Sequence, residues 1–168
     1  MNEPLLIIST IGGLSVLLSY LYLYYEENDL DKAWGGIEEG VLRTAWIGSA
    51  LLTVVSYIFL WVCFIFIIEE QSMLLLSAWT VFLWSASQWA YLCLLDIKEQ
   101  RRSMSLLINL TFTTIACVAV FVVCVMLEEH DSIKPYLIAS STYMLLHHGL
   151  VDNWWWYGTF SDSNFVPV

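Results

Sequence analysis

Two adjacent histidines, His147 and His148, are followed by a carboxylate at Asp152. On an α-helix His148 and Asp152 stand four residues apart and share a face, so the carboxylate can orient the imidazole or favour its protonated form. The third histidine, His130, lies apart from them. Three histidines are too few for the multi-histidine di-iron site of a membrane desaturase or for the paired ligands of two haems. The four cysteines, Cys63, Cys93, Cys117 and Cys124, all fall within apolar stretches. They have neither disulfide-framework nor metal-site spacing, and each is read as a small buried hydrophobe, with Cys117 and Cys124 one heptad apart on a shared packing face. No lysine lies within the apolar stretches to anchor a Schiff base, and no arginine series or carbonyl filter marks a voltage sensor or potassium pore. A phosphate-binding glycine loop, a Gly-x-Ser-x-Gly elbow and a His-Glu-x-x-His helix are also missing. The expectation is a protein without catalytic residues, without a protein-ligated metal and without an obligatory cofactor.

The aromatic residues point elsewhere. Nine tryptophans in 168 residues are more than an interfacial belt requires. Trp34 and the run Trp154, Trp155 and Trp156 suit such a belt. Trp84 instead falls mid-stretch, with Trp79 and Trp89 five residues to either side, and Trp46 and Trp61 fall near the start and in the second half of another stretch. Indoles at that depth need a partner for their N–H, and Gln88, Asn109 and neighbouring serines and threonines can supply one. Such a set either walls an intramembrane pocket for a flat apolar ligand or packs helices against one another.

The elements that position these residues are written in the charges. The chain is 59% apolar and 13% charged, against roughly 25% charged in a soluble domain. A net charge of −10 excludes the basic face that a nucleic-acid binder needs. Charges collect in clusters and leave apolar stretches over 4–25, 44–68, 73–95, 104–127 and 136–156, the last interrupted by Asp152. A helix needs about 20 residues to cross the hydrocarbon layer, so the pattern predicts an all-α integral membrane protein, a single domain over residues 1–168 built as a bundle of five transmembrane helices. Glu3 stands where a signal peptide has basic residues, and the first stretch is too long for a signal h-region, so it is expected to remain as helix one. With five crossings, Lys32, Arg43, Lys98, Arg101 and Arg102 share one side and Lys134 the other. That asymmetry places loops one and three and the C-terminus in the cytoplasm and the N-terminus opposite. Loop one carries Glu26, Glu27, Asp29, Asp31, Glu38 and Glu39 together with Trp34, Gly35 and Gly36, and long connections of this kind are often functional.

The chain resembles the tryptophan-rich sensory protein / translocator protein (TspO/MBR) family. Five crossings in this length, a long first loop, a tight second loop and many tryptophans are similar to its pattern, as are Trp46 and Trp61 fifteen residues apart, Gln88-Trp89, and Pro135-Tyr136-Leu137 followed by Leu146-His147. Gly12-Gly13 suits that family's small-residue face on helix one. Loop one has none of the family's proline motifs, Ala50 stands at its tyrosine position, and His147 stands at its asparagine position. The resemblance implies a membrane protein with a transport or sensory role that binds porphyrin, haem or a sterol-like lipid among helices one, two and five. Its pocket walls would be Trp46 and Trp61, its loop-one lid contact Trp34, and its fifth-helix face Tyr143 and His147, with His147 offering a hydrogen bond or a nitrogen to a porphyrin iron.

A reading from another class is a non-catalytic subunit of a larger membrane complex. Helix four, rich in Thr, Val, Ile, Ala and Cys, would then be a packing face for such a partner or for a homodimer. Beyond these, the expected partners are the lipid bilayer and a hydrophobic small molecule.

Overall fold

The computed structural model describes residues 2–27, 33, 37, 40–68, 72–99, 103–128 and 131–159. Among the described residues there are five helices and no strand: α1 (Glu3–Glu26), α2 (Val41–Val62), α3 (Met73–Glu99), α4 (Met104–Met126) and α5 (Lys134–Leu146). Two of them run on into wider π-helical turns, α2 through Cys63–Ile67 and α5 through His147–Trp156. The helix starts follow local chemistry. Asn2 caps α1 by accepting from the Leu5 N–H at 3.3 Å, with Glu3 at the positive end of the helix dipole and Pro4 in the first turn, where no amide donor is needed. Gly40 precedes α2 at a φ of 133°, a conformation that a side chain would strain. Pro135 lies in the first turn of α5.

Three helical segments, Glu3–Glu26, Val41–Ile67 and Met104–Met126, are long and apolar enough to cross a membrane. The other two carry their polar residues inward: α3 holds Ser85 and Asp96 in the interior, and the π-helical end of α5 holds His147. On α1 the side chains of Ile7, Ile11, Leu14, Leu17, Leu18 and Leu21 are all exposed. An outward aliphatic face of this kind is what lipid solvates and water does not.

In space, α1 packs along α3, α3 against α4, α4 against α5 and its π-helical extension, and α5 against α2. The ring of helices is drawn together where α1 meets the π-turn of α2, the Asn2 N–H donating to the Ile65 carbonyl at 2.9 Å. α1 and α3 run parallel, their contacts advancing together from Ser9 and Trp79 to Tyr20 and Trp89 to Glu26 and Lys98. Close approach needs a small residue, and Gly12 supplies it: a Cβ there would lie 2.7 Å from Leu83.

The interior is layered. One apolar cluster, toward the second loop, joins Leu60, Phe64, Trp79, Val120, Cys124 and Met144. Another, toward the first loop, joins Cys93, Ile97, Leu106, Leu110, Trp156 and Tyr157. Near the level where they meet, buried polar side chains gather, namely Ser85 in α3, Asn109 and Thr113 in α4, and His147 in the π-helical end of α5. A central polar layer thus lies between two mainly apolar ones.

Several tryptophans take places that depth alone does not predict. Trp79 is fully buried and donates from Nε1 to Ser9 Oγ at 2.9 Å. Trp84, mid-helix in α3, faces outward and so walls no internal pocket. Trp154 is exposed as a belt residue should be, but Trp156 is buried, its ring 5.2 Å from that of Trp89 and its N–H on the Ala33 carbonyl at 3.2 Å. All four cysteines are buried free thiols.

Candidate functional site

The polar layer holds a run of facing polar groups that links α2 to the end of α5. In α2, the turn from Trp46 to Ser49 puts both residues on the face that meets α5. Tyr143 in α5 donates its hydroxyl to Ser49 Oγ at 3.1 Å, and Ser49 Oγ lies 2.8 Å from His147 Nδ1. His147 Nε2 then faces Asp152 Oδ1 at 3.4 Å, and the other carboxylate oxygen, Oδ2, lies 2.8 Å from His148 Nδ1. Two rings close the sides: Trp46 with its centroid 6.2 Å from that of His147, and Phe82 edge-on to His148 at 5.4 Å. Thr114 of α4 reaches the layer from the far side, donating to the His148 carbonyl at 3.3 Å and accepting from Asn153 at 3.4 Å.

The π-helical geometry makes this arrangement. In an α-helix only His148 would share a face with Asp152. The wider turn, with hydrogen bonds closing over five residues, also brings round His147, five residues back. The Tyr157 N–H, which donates to the Asp152 carbonyl, shows this spacing directly. The segment contains Gly149 and the pair Asp152 and Asn153, all poor formers of regular α-helix, and π-turns concentrate at functional sites.

Of the residues predicted to form a site, Trp46, Tyr143 and His147 meet here. Trp61 does not: it lies fifteen residues along α2, about 22 Å at the helical rise, in the apolar layer toward the second loop, with its ring edge-on to Phe66 at 6.4 Å. Its buried Nε1 has no partner among the described residues. Trp34 lies outside the described residues. Sequence reasoning missed Ser49 as the bridge between helices and Asp152 as a partner of His147. The first had a faint signal, its helical spacing from Trp46; the second had none, because the reading assumed α-helical register.

No protein-family model, curated protein or solved structure matches the chain. What the site can do is therefore read from its chemistry. His147, His148 and Asp152 each offer a ligand atom, and these atoms all lie within 4.8 Å of one another. His148 Nε2 and Asp152 Oδ1 are buried without a hydrogen bond among the described residues. A buried polar atom left unsatisfied costs roughly 1–3 kcal/mol, so two in one cluster mark a place built for something more than packing. The two clefts described lie toward the second loop. The larger, about 330 Å³, is lined by Phe64, Ile68, Leu75, Val123, Met126 and Leu127 among others, and the smaller by Asn2, Leu5, Met73 and their neighbours. Neither includes Trp46, Tyr143 or His147.

Proposed function

We propose that this chain is a five-span integral membrane protein of the TspO/MBR kind that binds a flat hydrophobic ligand against the α2–α5 wall, with a transport or sensory role. Trp46 and Tyr143 form the wall, and Ser49 and His147 supply polarity behind it. The observation that carries the reading is the convergence of Trp46, Tyr143 and His147 on one patch from two helices. α3 and the extended α5 complete the five crossings, with loops one and three on the cytoplasmic side by the distribution of Lys and Arg. The bilayer is then the route of entry, and contacts between α1 and the α2 chain concentrate at the π-turn, away from this patch.

Axial ligation of a porphyrin iron by His147 is not part of the proposal. Both of its ring nitrogens face partners within the protein, Ser49 and Asp152, and the ring is buried. The six acids of loop one disfavour anionic tetrapyrroles approaching from that side, so a neutral sterol-like lipid is the preferred ligand and a porphyrin the second. No catalytic step belongs to this reading.

The test is titration of the purified protein in nanodiscs with a fluorescent sterol and, separately, with protoporphyrin, read by energy transfer from and quenching of tryptophan. Saturable binding that weakens at least tenfold in Trp46→Leu and Tyr143→Leu is expected. Linear, unsaturable quenching by both probes, or saturation untouched by either substitution, overturns it.

One observation favours the subunit reading. Trp84 is exposed in the middle of α3, where an indole N–H gains from a protein partner. Co-purification of a stoichiometric partner lost in Trp84→Leu would replace ligand binding with assembly as the conclusion.

A further inference from the structure

We propose that His147, His148 and Asp152 bind one divalent transition-metal ion of the zinc class within the polar layer of the bundle. This goes beyond the ligand reading and does not depend on it. It also departs from the expectation drawn from the sequence, in which no metal was assigned.

Geometry is the first support. Two imidazoles and a carboxylate present ligand atoms that all fall within 4.8 Å of one another. Ligand atoms around a tetrahedral zinc ion, with bonds of 2.0–2.2 Å, stand roughly 3.3 Å apart. The His147 Nε2 to Asp152 Oδ1 separation is already 3.4 Å, and His148 Nδ1 lies 2.8 Å from the other oxygen of the same carboxylate. All three residues come from one π-helical segment, whose register is the reason they converge. Three protein ligands leave a fourth coordination position for a small exogenous group.

Charge is the second. The ion pairs of Asp152 among the described residues run to His147 and His148 alone. The described lysines and arginine act elsewhere: Lys98 pairs with Glu26 at the end of α3, Arg43 donates to the Ile37 carbonyl, and Lys134 begins α5. A carboxylate inside an apolar bundle requires a compensating positive charge. A divalent ion held by all three residues would supply that charge at the carboxylate itself.

The shell around the ligands is the third. A metal-binding imidazole almost always gives its second nitrogen to a hydrogen-bond acceptor that sets its tautomer and orientation. His147 Nδ1 meets Ser49 Oγ at 2.8 Å, and Tyr143 in turn holds Ser49 at 3.1 Å. That arrangement turns Nε2 toward Asp152 Oδ1, the side on which a shared ion would sit. The donor set also selects the ion. Two nitrogens and one oxygen suit zinc, cobalt or iron(II), whereas calcium and magnesium favour all-oxygen sites and copper(I) favours sulfur. The four thiols are placed in the apolar clusters, with Cys63, Cys117 and Cys124 in one and Cys93 in the other.

The test uses tag-free, full-length protein in nanodiscs, stripped by chelator and titrated with Co²⁺ and then Zn²⁺. The expected result is one equivalent of Co²⁺ with visible ligand-field bands that Zn²⁺ abolishes. Affinity should fall at least a hundredfold in Asp152→Asn, His147→Gln and His148→Gln, and about tenfold in Ser49→Ala, which removes only the orienting group. Zn²⁺ should also raise the melting temperature of the wild type and leave that of the ligand variants unchanged. Absence of stoichiometric binding by the wild type overturns the proposal, as does equal binding by variants that retain wild-type helical circular dichroism. Should Asp152→Asn fail to fold, the His148→Gln titration and the wild-type thermal shift decide the matter. Because no sterol or porphyrin enters the experiment, its result is separate from that of ligand binding.

Discussion

Asp152 faces His147 across 3.4 Å although five residues separate them in the chain, while His148, four residues away, lies 2.8 Å from the other oxygen of the same carboxylate. One carboxylate therefore bridges two consecutive imidazoles. That relationship exists because the helix widens to π geometry at His147.

Register is the first thing to test. Inserting an alanine after Gly149 lengthens the spacing, so that His147 falls six residues and His148 five residues from Asp152, and an α-helical register then presents neither to it. The helix should remain, because wide turns take up an added residue and a Cβ built at Gly149 would meet only Thr114, at 3.5 Å. We expect unchanged helical circular dichroism together with at least a tenfold loss of Co²⁺ affinity. Retention of full affinity would show that the wide turn is incidental to the cluster.

Helix contact offers a second test. Gly12→Leu forces a side chain into the space that Leu83 fills, and overpacking of this kind costs about 1–3 kcal/mol. The melting temperature in detergent should drop, and Leu83→Ala in the same chain should restore part of the loss. An uncompensated double variant, no better than the sum of its single substitutions, would mean that α1 and α3 do not meet at this pair.

Buried hydrogen bonding offers a third. Ser9→Val leaves the Trp79 indole N–H without its 2.9 Å partner in the apolar cluster. Interhelical hydrogen bonds in membranes average roughly 0.6 kcal/mol, with a maximum near 1.7, so a destabilisation of that order is expected in reversible unfolding. Replacing both residues, as in Ser9→Val with Trp79→Phe, should cost less than the two single changes added together.

The number of crossings is open to direct labelling. With five spans, a cysteine at Gly40 and one at Ser103 are labelled from the same side, and one at Asp131 from the opposite side to a C-terminal reporter. If only the three strongly apolar helices cross, Gly40 and Ser103 report from opposite faces. The native thiols, all buried, should stay unlabelled and give a clean background.

Much of the fold can be read from residue order alone. Clusters of charge punctuating apolar stretches specify helices and their ends, because an unpaired charge and an unpaired backbone amide are both too costly in an apolar interior. The Asn2 cap and Pro4 at the start of α1 are equally local. The candidate site was legible in part: Trp46, Tyr143 and His147 were named from spacing and resemblance, and they meet. Trp61 was grouped with them because its fifteen-residue spacing from Trp46 resembles the family pattern, but a rigid helix carries it to the other end of the bundle. The depth of Trp84 suggested an internal role, yet depth says nothing about which way a side chain points.

By itself the sequence determined the class of protein, the helical segments and the presence of a polar, histidine-bearing end to the last one. Hydrophobic transfer and backbone satisfaction act residue by residue, so these features need no knowledge of neighbours. Only the tertiary structure decided that Ser49 of α2 holds His147, that the polar residues of three helices lie in one layer, and that a π-turn brings both histidines to Asp152. Those outcomes depend on rotation about helix axes and on which helices touch. Both are settled by packing between segments far apart in the chain.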